Sequence, residues 1–290
     1  MSWAWAVLLL LTSAATAAVN VVDDTGRTVT LTQPAQRIVS LAPHVTELLF
    51  AAGAGTAVVG VVRYSDFPAA AKQVPVVGDY NALDLETLLS LKPDLIVAWQ
   101  SGNSAAAIAR LLKFNIPVFL SEPRHLEDIA TNLERLGQLA GTQKAADVAS
   151  AEFRSSLQQL RANYSGKIPV TVFYQIWDRP LITLNGAHMI SAVLELCSGK
   201  NLFAALPIIA PEVSMESVLA ADPEVIIASG SASSEDHGLG QWARWPVLRA
   251  VRNKQLYFVE PDNIQRSTPR LLQGAKEICQ ALEAARGYRH

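Results

Sequence analysis

One phrase occurs twice in this chain, and its recurrence constrains the fold more than any other feature. Residues 84–99, Asp-Leu-Glu-Thr-Leu-Leu-Ser-Leu-Lys-Pro-Asp-Leu-Ile-Val-Ala-Trp, read as a short helix, a Lys-Pro-Asp turn and a strand. Residues 214–229, Ser-Met-Glu-Ser-Val-Leu-Ala-Ala-Asp-Pro-Glu-Val-Ile-Ile-Ala-Ser, repeat it without a gap, each position 130 further on (86 to 216, 93 to 223). Pro93 and Pro223 stop a helix, because proline disfavours the helical region for the residue before it. An acidic residue follows each, then an unbroken apolar run of strand length, as in a parallel sheet covered on both faces. Two copies are too few for a solenoid. They predict an α/β protein of two lobes, each with a central, mainly parallel sheet flanked by helices, and a cleft between them.

The chain has 290 residues, room enough for two domains. Half of the residues are hydrophobic (50%) and 17% charged, which excludes general disorder. A formal net charge of −2 and the absence of a basic tract give no reason to expect nucleic acid or an anionic membrane surface as partner. The apolar run Ala4–Leu11 and the small-x-small Ala15-Thr16-Ala17 read as a signal peptide over 1–18, cleaved near Ala17–Ala18, although Met1–Ser2 lack the usual basic charge. The run is well short of the ~20 residues of a membrane span. Cys197 and Cys279 are the two cysteines. In an exported chain such a pair reads as one disulfide; the other reading is two separate buried thiols.

Taken in order, the chain divides into a first lobe (19–125), a helical connector (126–165) and a second lobe (166–290). Val21–Asp24 and Arg27–Leu31 flank a hairpin turn. Strand and helix then alternate, which argues for right-handed crossovers. Ligands of open parallel sheets sit beyond the strands' carboxyl ends. The residues at those exits are therefore candidate site residues: His44, Tyr64, Trp99 and Ser121-Glu122 in the first lobe, Trp177 and Asp262 in the second, with Tyr80 a further ring. A ring at a strand exit either plugs the sheet edge or faces the cleft. Arg266 and Arg270, beyond the last strand, face the cleft or a partner. In the connector, Ile129, Leu133, Leu136 and Leu139 make one helical stripe that Gly141 ends. Thr142 is placed to cap a second helix to about Tyr164, with Val148, Phe153, Leu157 and Leu160 inward. Together they predict a long, rigid helical link.

Chemistry is conspicuous by its absence. The chain has no Gly-x-Ser-x-Gly elbow, phosphate loop or His-Glu-x-x-His pair, and its five histidines are too dispersed for a spacing-based metal site. A binding protein is expected rather than an enzyme. The rival is an exported hydrolase whose Ser, His and Asp converge from distant positions.

Five stretches now carry a resemblance: 38–48 (Ile-Val-Ser-Leu-Ala-Pro-His-Val-Thr-Glu-Leu), 64–68 (Tyr-Ser-Asp-Phe-Pro), 91–99, 193–199 and 267–270 (Ser-Thr-Pro-Arg). With them the chain resembles the helical-backbone (class III) periplasmic substrate-binding proteins of ABC importers, and within that class the cobalamin binders. The resemblance implies a monomeric periplasmic receptor, cobalamin as its cargo rather than a cofactor, and an ABC transporter permease dimer as its partner. Haem- and siderophore-binding relatives share the architecture, so those ligands are the alternative. It implies that Tyr64, Trp99 and Trp177 line a corrinoid pocket, that Tyr80 and Ala210 stand where cobalamin binders carry tryptophan, and that Cys197 and Cys279 are the family's disulfide. Glu86 and Glu216 match the pair that engages permease arginines; the rival explanation is that each offsets a helix dipole. A corrin has broad apolar faces and an amide rim. Flat aromatic rings suit the faces, and polar groups such as Ser101, Asn103 and Asp262 suit the rim.

Overall fold

The repeated phrase forms the middle of two parallel sheets in the computed structural model of the protein, which describes residues 18–79, 82–230 and 237–288. The antiparallel hairpin β1 (Val19–Val22) and β2 (Thr28–Leu31) comes first. The first lobe continues through β3 (Ile38–Ser40), α1 (Pro43–Ala51), β4 (Val58–Gly60), α2 (Leu85–Ser90), β5 (Leu95–Trp99), α3 (Ala105–Leu111) and β6 (Val118–Ser121). Helices α4 (Leu126–Ala140) and α5 (Gln143–Tyr164) follow. The second lobe holds β7 (Val170–Gln175), a small hairpin of β8 (Trp177–Asp178) and β9 (Leu181–Ile182), then α6 (Met189–Leu196), β10 (Gly199–Asn201), α7 (Met215–Ala221) and β11 (Val225–Ala228). Then come α8 (Arg249–Arg252), β12 (Leu256–Phe258), α9 (Pro261–Ile264) and α10 (Leu271–Gly287). Strand order is β4-β3-β5-β6 in one sheet and β10-β7-β11-β12 in the other, all pairs parallel. The two orders correspond strand by strand.

The repeat is reproduced in chemical detail. Asp84 caps α2 by accepting the Thr87 N–H (3.0 Å), and Ser214 caps α7 by accepting that of Ser217 (3.2 Å). Leu88 and Val218 are the fully buried residues of the two helices. Lys92 (φ 45°) and Asp222 (φ 42°) both take the left-handed conformation that turns the chain toward the strand. The acidic residue after each proline has one task. Asp94 accepts the backbone N–H groups of Gln36 and Arg37 ahead of β3, while Glu224 accepts that of Thr171 in β7, the equivalent strand. Each copy thus fastens its strand to its neighbour in the sheet.

Helices α4 and α5 pack as an antiparallel pair against both lobes, α4 on α1 and β1, α5 on α1, α6 and α10. The α4 stripe is buried as expected, and Gly141 ends it with φ 70°. Two expectations fail in α5. Thr142 stands at the N-cap, but its hydroxyl donates to the Ala52 carbonyl (2.6 Å), tying the helix start to the first lobe instead of capping it. Val148 is 59% exposed, so the inward face is Ala146, Ser150, Phe153 and Leu157. One hydrophobic cluster runs from Ile38 and Leu95 through Leu133, Phe153 and Leu157 to Val172, Val225 and Leu282. Cys197, which follows α6, is bonded to Cys279 of α10, closing 82 positions of the second lobe with Cα atoms 4.8 Å apart. Among the described residues no helix is long and apolar enough to cross a membrane.

Candidate ligand groove between the lobes

The carboxyl ends of the two sheets face one another. Arg266 and Arg270, beyond β12 and α9 in the second lobe, reach Glu47 of α1 and Asp66 of the segment after β4 in the first. The strand exits of both lobes therefore border one groove.

Three large rings stand exposed at these exits: Tyr64 at 70%, Trp177 at 46% and Trp99 at 36%. Rings left open at the ends of two sheets offer apolar faces to a ligand. Tyr64 has φ 66°, uncommon for a residue with a large side chain. The residues after it are anchored. Ser65 accepts from the Thr46 hydroxyl (3.0 Å), Asp66 pairs with Arg266 (2.8 Å), and the Phe67 ring lies against the Arg270 guanidinium (4.1 Å). Burial favours the neutral Asp66 carboxyl, but the hydrogen bond and charge of Arg266 outweigh it and hold its pKa below the usual carboxylate range.

Trp99 ends β5, and its backbone N–H donates to the Asn103 side-chain oxygen (2.7 Å). The Asn103 amide donates in turn to the Leu41 carbonyl (2.9 Å), so one buried asparagine joins the exits of β3 and β5. Asn103 is therefore spent on the main chain and is no rim group. The Trp99 indole lies over Gly102, where any Cβ would enter the ring. Its edge meets His44, with centroids 5.1 Å apart at 82°. His44 is buried and its Nε2 finds no hydrogen-bond partner. Burial, reinforced by the charge of Arg266, lowers its pKa to about 4, so the ring is neutral at pH 7.

On the opposite side, Trp177 donates its indole N–H to the Arg179 carbonyl (3.1 Å), leaving the ring face open. It pairs across the hairpin with Ile182, which pairs in turn with Glu212. Directly opposed residues share a sheet face and alternate along the strand. Ala210, two residues before Glu212, is exposed and has only a methyl group to offer. Asp262 faces Arg266 at 3.1 Å and Arg270 at 3.9 Å. Tyr80 lies outside the described residues. Among those described, no group of three or more His, Cys, Asp and Glu is gathered to hold a metal ion.

Glu86 and Glu216 are exposed residues in the first turns of α2 and α7, one on each lobe. These helices run antiparallel to the strands that follow them, so their N-termini lie at the groove end of each sheet. The Glu216 carboxyl is held below the usual range by its own backbone N–H and by the Ser214 hydroxyl. Sequence reasoning missed Glu47 altogether. Its partners are more than two hundred positions away and no spacing pattern pairs them. The one available signal was the pair of arginines, Arg266 and Arg270, beyond the last strand.

Two facing α/β lobes on a helical backbone, with open rings at the strand exits, define a solute-binding protein. The chain belongs to the periplasmic binding protein family, which residues 38–263 match. It is 38% identical to the vitamin B12-binding protein of Vibrio parahaemolyticus over 255 residues, 88% of this chain and 92% of that one. It is 39% identical to that of Vibrio campbellii over 254 residues, covering 87% and 91% of the two chains. The crystal structure of the periplasmic vitamin B12 binding protein BtuF of Vibrio cholerae superposes with a TM-score of 0.82 at 38% identity, over 87% of this chain and 98% of that one. A periplasmic haem-binding protein of Vibrio cholerae, HutB, shares the fold at 22% identity, with a TM-score of 0.74 over 85% of this chain and 98% of that one.

Proposed function

We propose that this protein captures cobalamin in the groove between its lobes and delivers it to an ABC importer. The observation that carries the reading is the set of three exposed rings at the carboxyl ends of two facing sheets, in a chain similar over most of its length to vitamin B12-binding proteins. Tyr64 and Trp99 from one lobe and Trp177 from the other cover the apolar faces of the corrin, and His44 backs the Trp99 ring. Asp262 and main-chain groups of the exits meet the amide rim. Arg266 and Arg270, the arginines that bridge the lobes, are already paired with carboxylates, which disfavours a tricatecholate siderophore, whose high negative charge calls for free cations. Haem is the second candidate, with the exposed Tyr64 phenol as its iron ligand.

Titration of the purified protein with cyanocobalamin, haem and ferric siderophores, followed by tryptophan fluorescence, tests the ligand. Saturable quenching by cyanocobalamin is expected; none at micromolar concentration rejects cobalamin as cargo. The N-terminal segment acts as an export signal, and sequencing the N-terminus of protein recovered from the periplasm is expected to place it at Ala18 or Val19. Glu86 and Glu216 dock on a two-fold permease. Reversing both to Arg is expected to abolish cobalamin uptake while cyanocobalamin affinity is kept; normal uptake rejects the docking role. No catalytic role is assigned to any residue, and a screen of ester and peptide substrates is expected to find no turnover.

A further inference from the structure

Glu47 is the most deeply buried carboxylate in the groove, its side chain 2% exposed, and the guanidinium groups that meet it come from the other lobe. Arg270 grips it with two prongs, Nε to Oε2 at 3.0 Å and Nη2 to Oε1 at 2.7 Å. Arg266 uses a single nitrogen, Nη1, to donate both to Glu47 Oε1 and to Asp66 Oδ1, each at 2.8 Å. With Asp262 beside Arg266, two cations face three carboxylates, so the cluster holds no surplus positive charge for an anionic ligand. Its geometry serves the protein itself. Asp66 and Phe67 are the second and third residues after Tyr64, and both rest on arginines of the second lobe. The segment bearing the most exposed ring of the first lobe is thus moored on the opposite lobe, with the Ser65–Thr46 bond its tie to its own.

We infer that Arg266 and Arg270 are positioning residues for ligand capture: from the second lobe they hold the 64–67 segment of the first, fixing where the Tyr64 ring stands before any ligand arrives. This rests on the reading of Tyr64 as a wall of the ligand groove. A wall fixed in advance spares the complex the cost of ordering it on binding, and such preorganisation is felt mainly in the dissociation rate.

Asp66→Asn takes the charge out of the Asp66–Arg266 mooring while leaving Phe67 on Arg270 and Glu47 with both guanidinium groups. Asp66 is 44% exposed, so the fold is kept. Arg266→Gln removes the charge that Arg266 presents to Glu47, Asp66 and Asp262, and Arg266→Lys keeps the charge without the planar guanidinium. In ligand-free protein, amide exchange at residues 65–67 is expected to quicken about tenfold or more in Asp66→Asn and Arg266→Gln, less in Arg266→Lys, with α4 and α5 unchanged. With cyanocobalamin, Asp66→Asn is expected to lose about tenfold in affinity through faster dissociation, and adding Tyr64→Ala to it should cost little more than Tyr64→Ala alone. Unchanged exchange at 65–67, an unaltered affinity in Asp66→Asn, or losses that add in full would each overturn the inference. A native protein that does not bind cyanocobalamin overturns the ligand assignment instead, and the ligand-free exchange measurement then decides by itself whether the arginines hold the segment.

Discussion

A buried histidine with no counter-charge makes a protein sensitive to acid. His44 and His188 are both depressed to about pH 4, His44 by burial and the neighbouring Arg266 charge, His188 by burial. His188 has a second reason to stay neutral, since its Nδ1 accepts the Ile190 N–H (3.1 Å) and so caps α6. In the unfolded chain these rings take up protons near pH 6.5, whereas in the folded chain they resist until about 4. Their contribution to stability is therefore complete above 6.5 and declines as pH falls toward 4, by at most about 3 kcal/mol each. Melting temperature is expected to drop between pH 7 and pH 4.5. His188→Ser, which keeps a cap without a titrating ring, should flatten part of that drop. An identical pH profile in the variant would show that His188 is not a cause. The sequence could not reveal this, because nothing about an isolated histidine tells whether it will be solvated. That Tyr64, Trp99 and Trp177 stand at strand exits was legible, because each follows an apolar run closely; that they are exposed there rather than plugging the sheet edge was not. Their supports Asn103 and Gly102 were not, being small residues whose roles come from contacts made after folding.

At the scale of elements, the repeat was readable because its meaning is local. A capping Asp or Ser, a helix of two turns, a proline stop and an apolar run each act within a few residues, and the structure honours all of them in both copies. The start of α5 was misread for the opposite reason, because the Thr142 hydroxyl prefers a carbonyl ninety positions away to its own helix. The α4–α5 contact is equally non-local. At Gly137 an added Cβ would collide with the Cβ of Ala146, so the helices approach as closely as they do only because residue 137 has no side chain. Gly137→Ala favours the isolated helix yet is expected to destabilise the protein by about 1–3 kcal/mol through overpacking. Chemical denaturation measures this, and a stabilised variant would mean that the helix pair can separate at no cost.

Over the whole molecule, the groove is visible only once both lobes exist, which explains why the partners of Arg266 and Arg270, Glu47 and Asp66, escaped the sequence. The continuous cluster through α4 and α5 has a thermodynamic consequence. Although the lobes are near-copies, heating is expected to give one cooperative transition, with calorimetric and van't Hoff enthalpies in agreement. Cys197→Ala/Cys279→Ala, which releases a loop worth roughly 4–5 kcal/mol by chain entropy, should lower that single transition rather than split off an early one for the second lobe. Two resolved peaks in either protein would mean that the lobes unfold independently.

Helix α5 has 22 residues, and its two ends are seated in different lobes. A helix used this way is a shaft with a phase as well as a length. One inserted residue would advance everything beyond it by about 1.5 Å and rotate it by about 100°, changing where Trp177 stands relative to Tyr64 and Trp99. Adding two full turns would restore the angle but push the far lobe about 10 Å away, out of reach of Glu47. The residue count of this segment is thus a dimension of the binding site, although none of its side chains is assigned to touch the ligand.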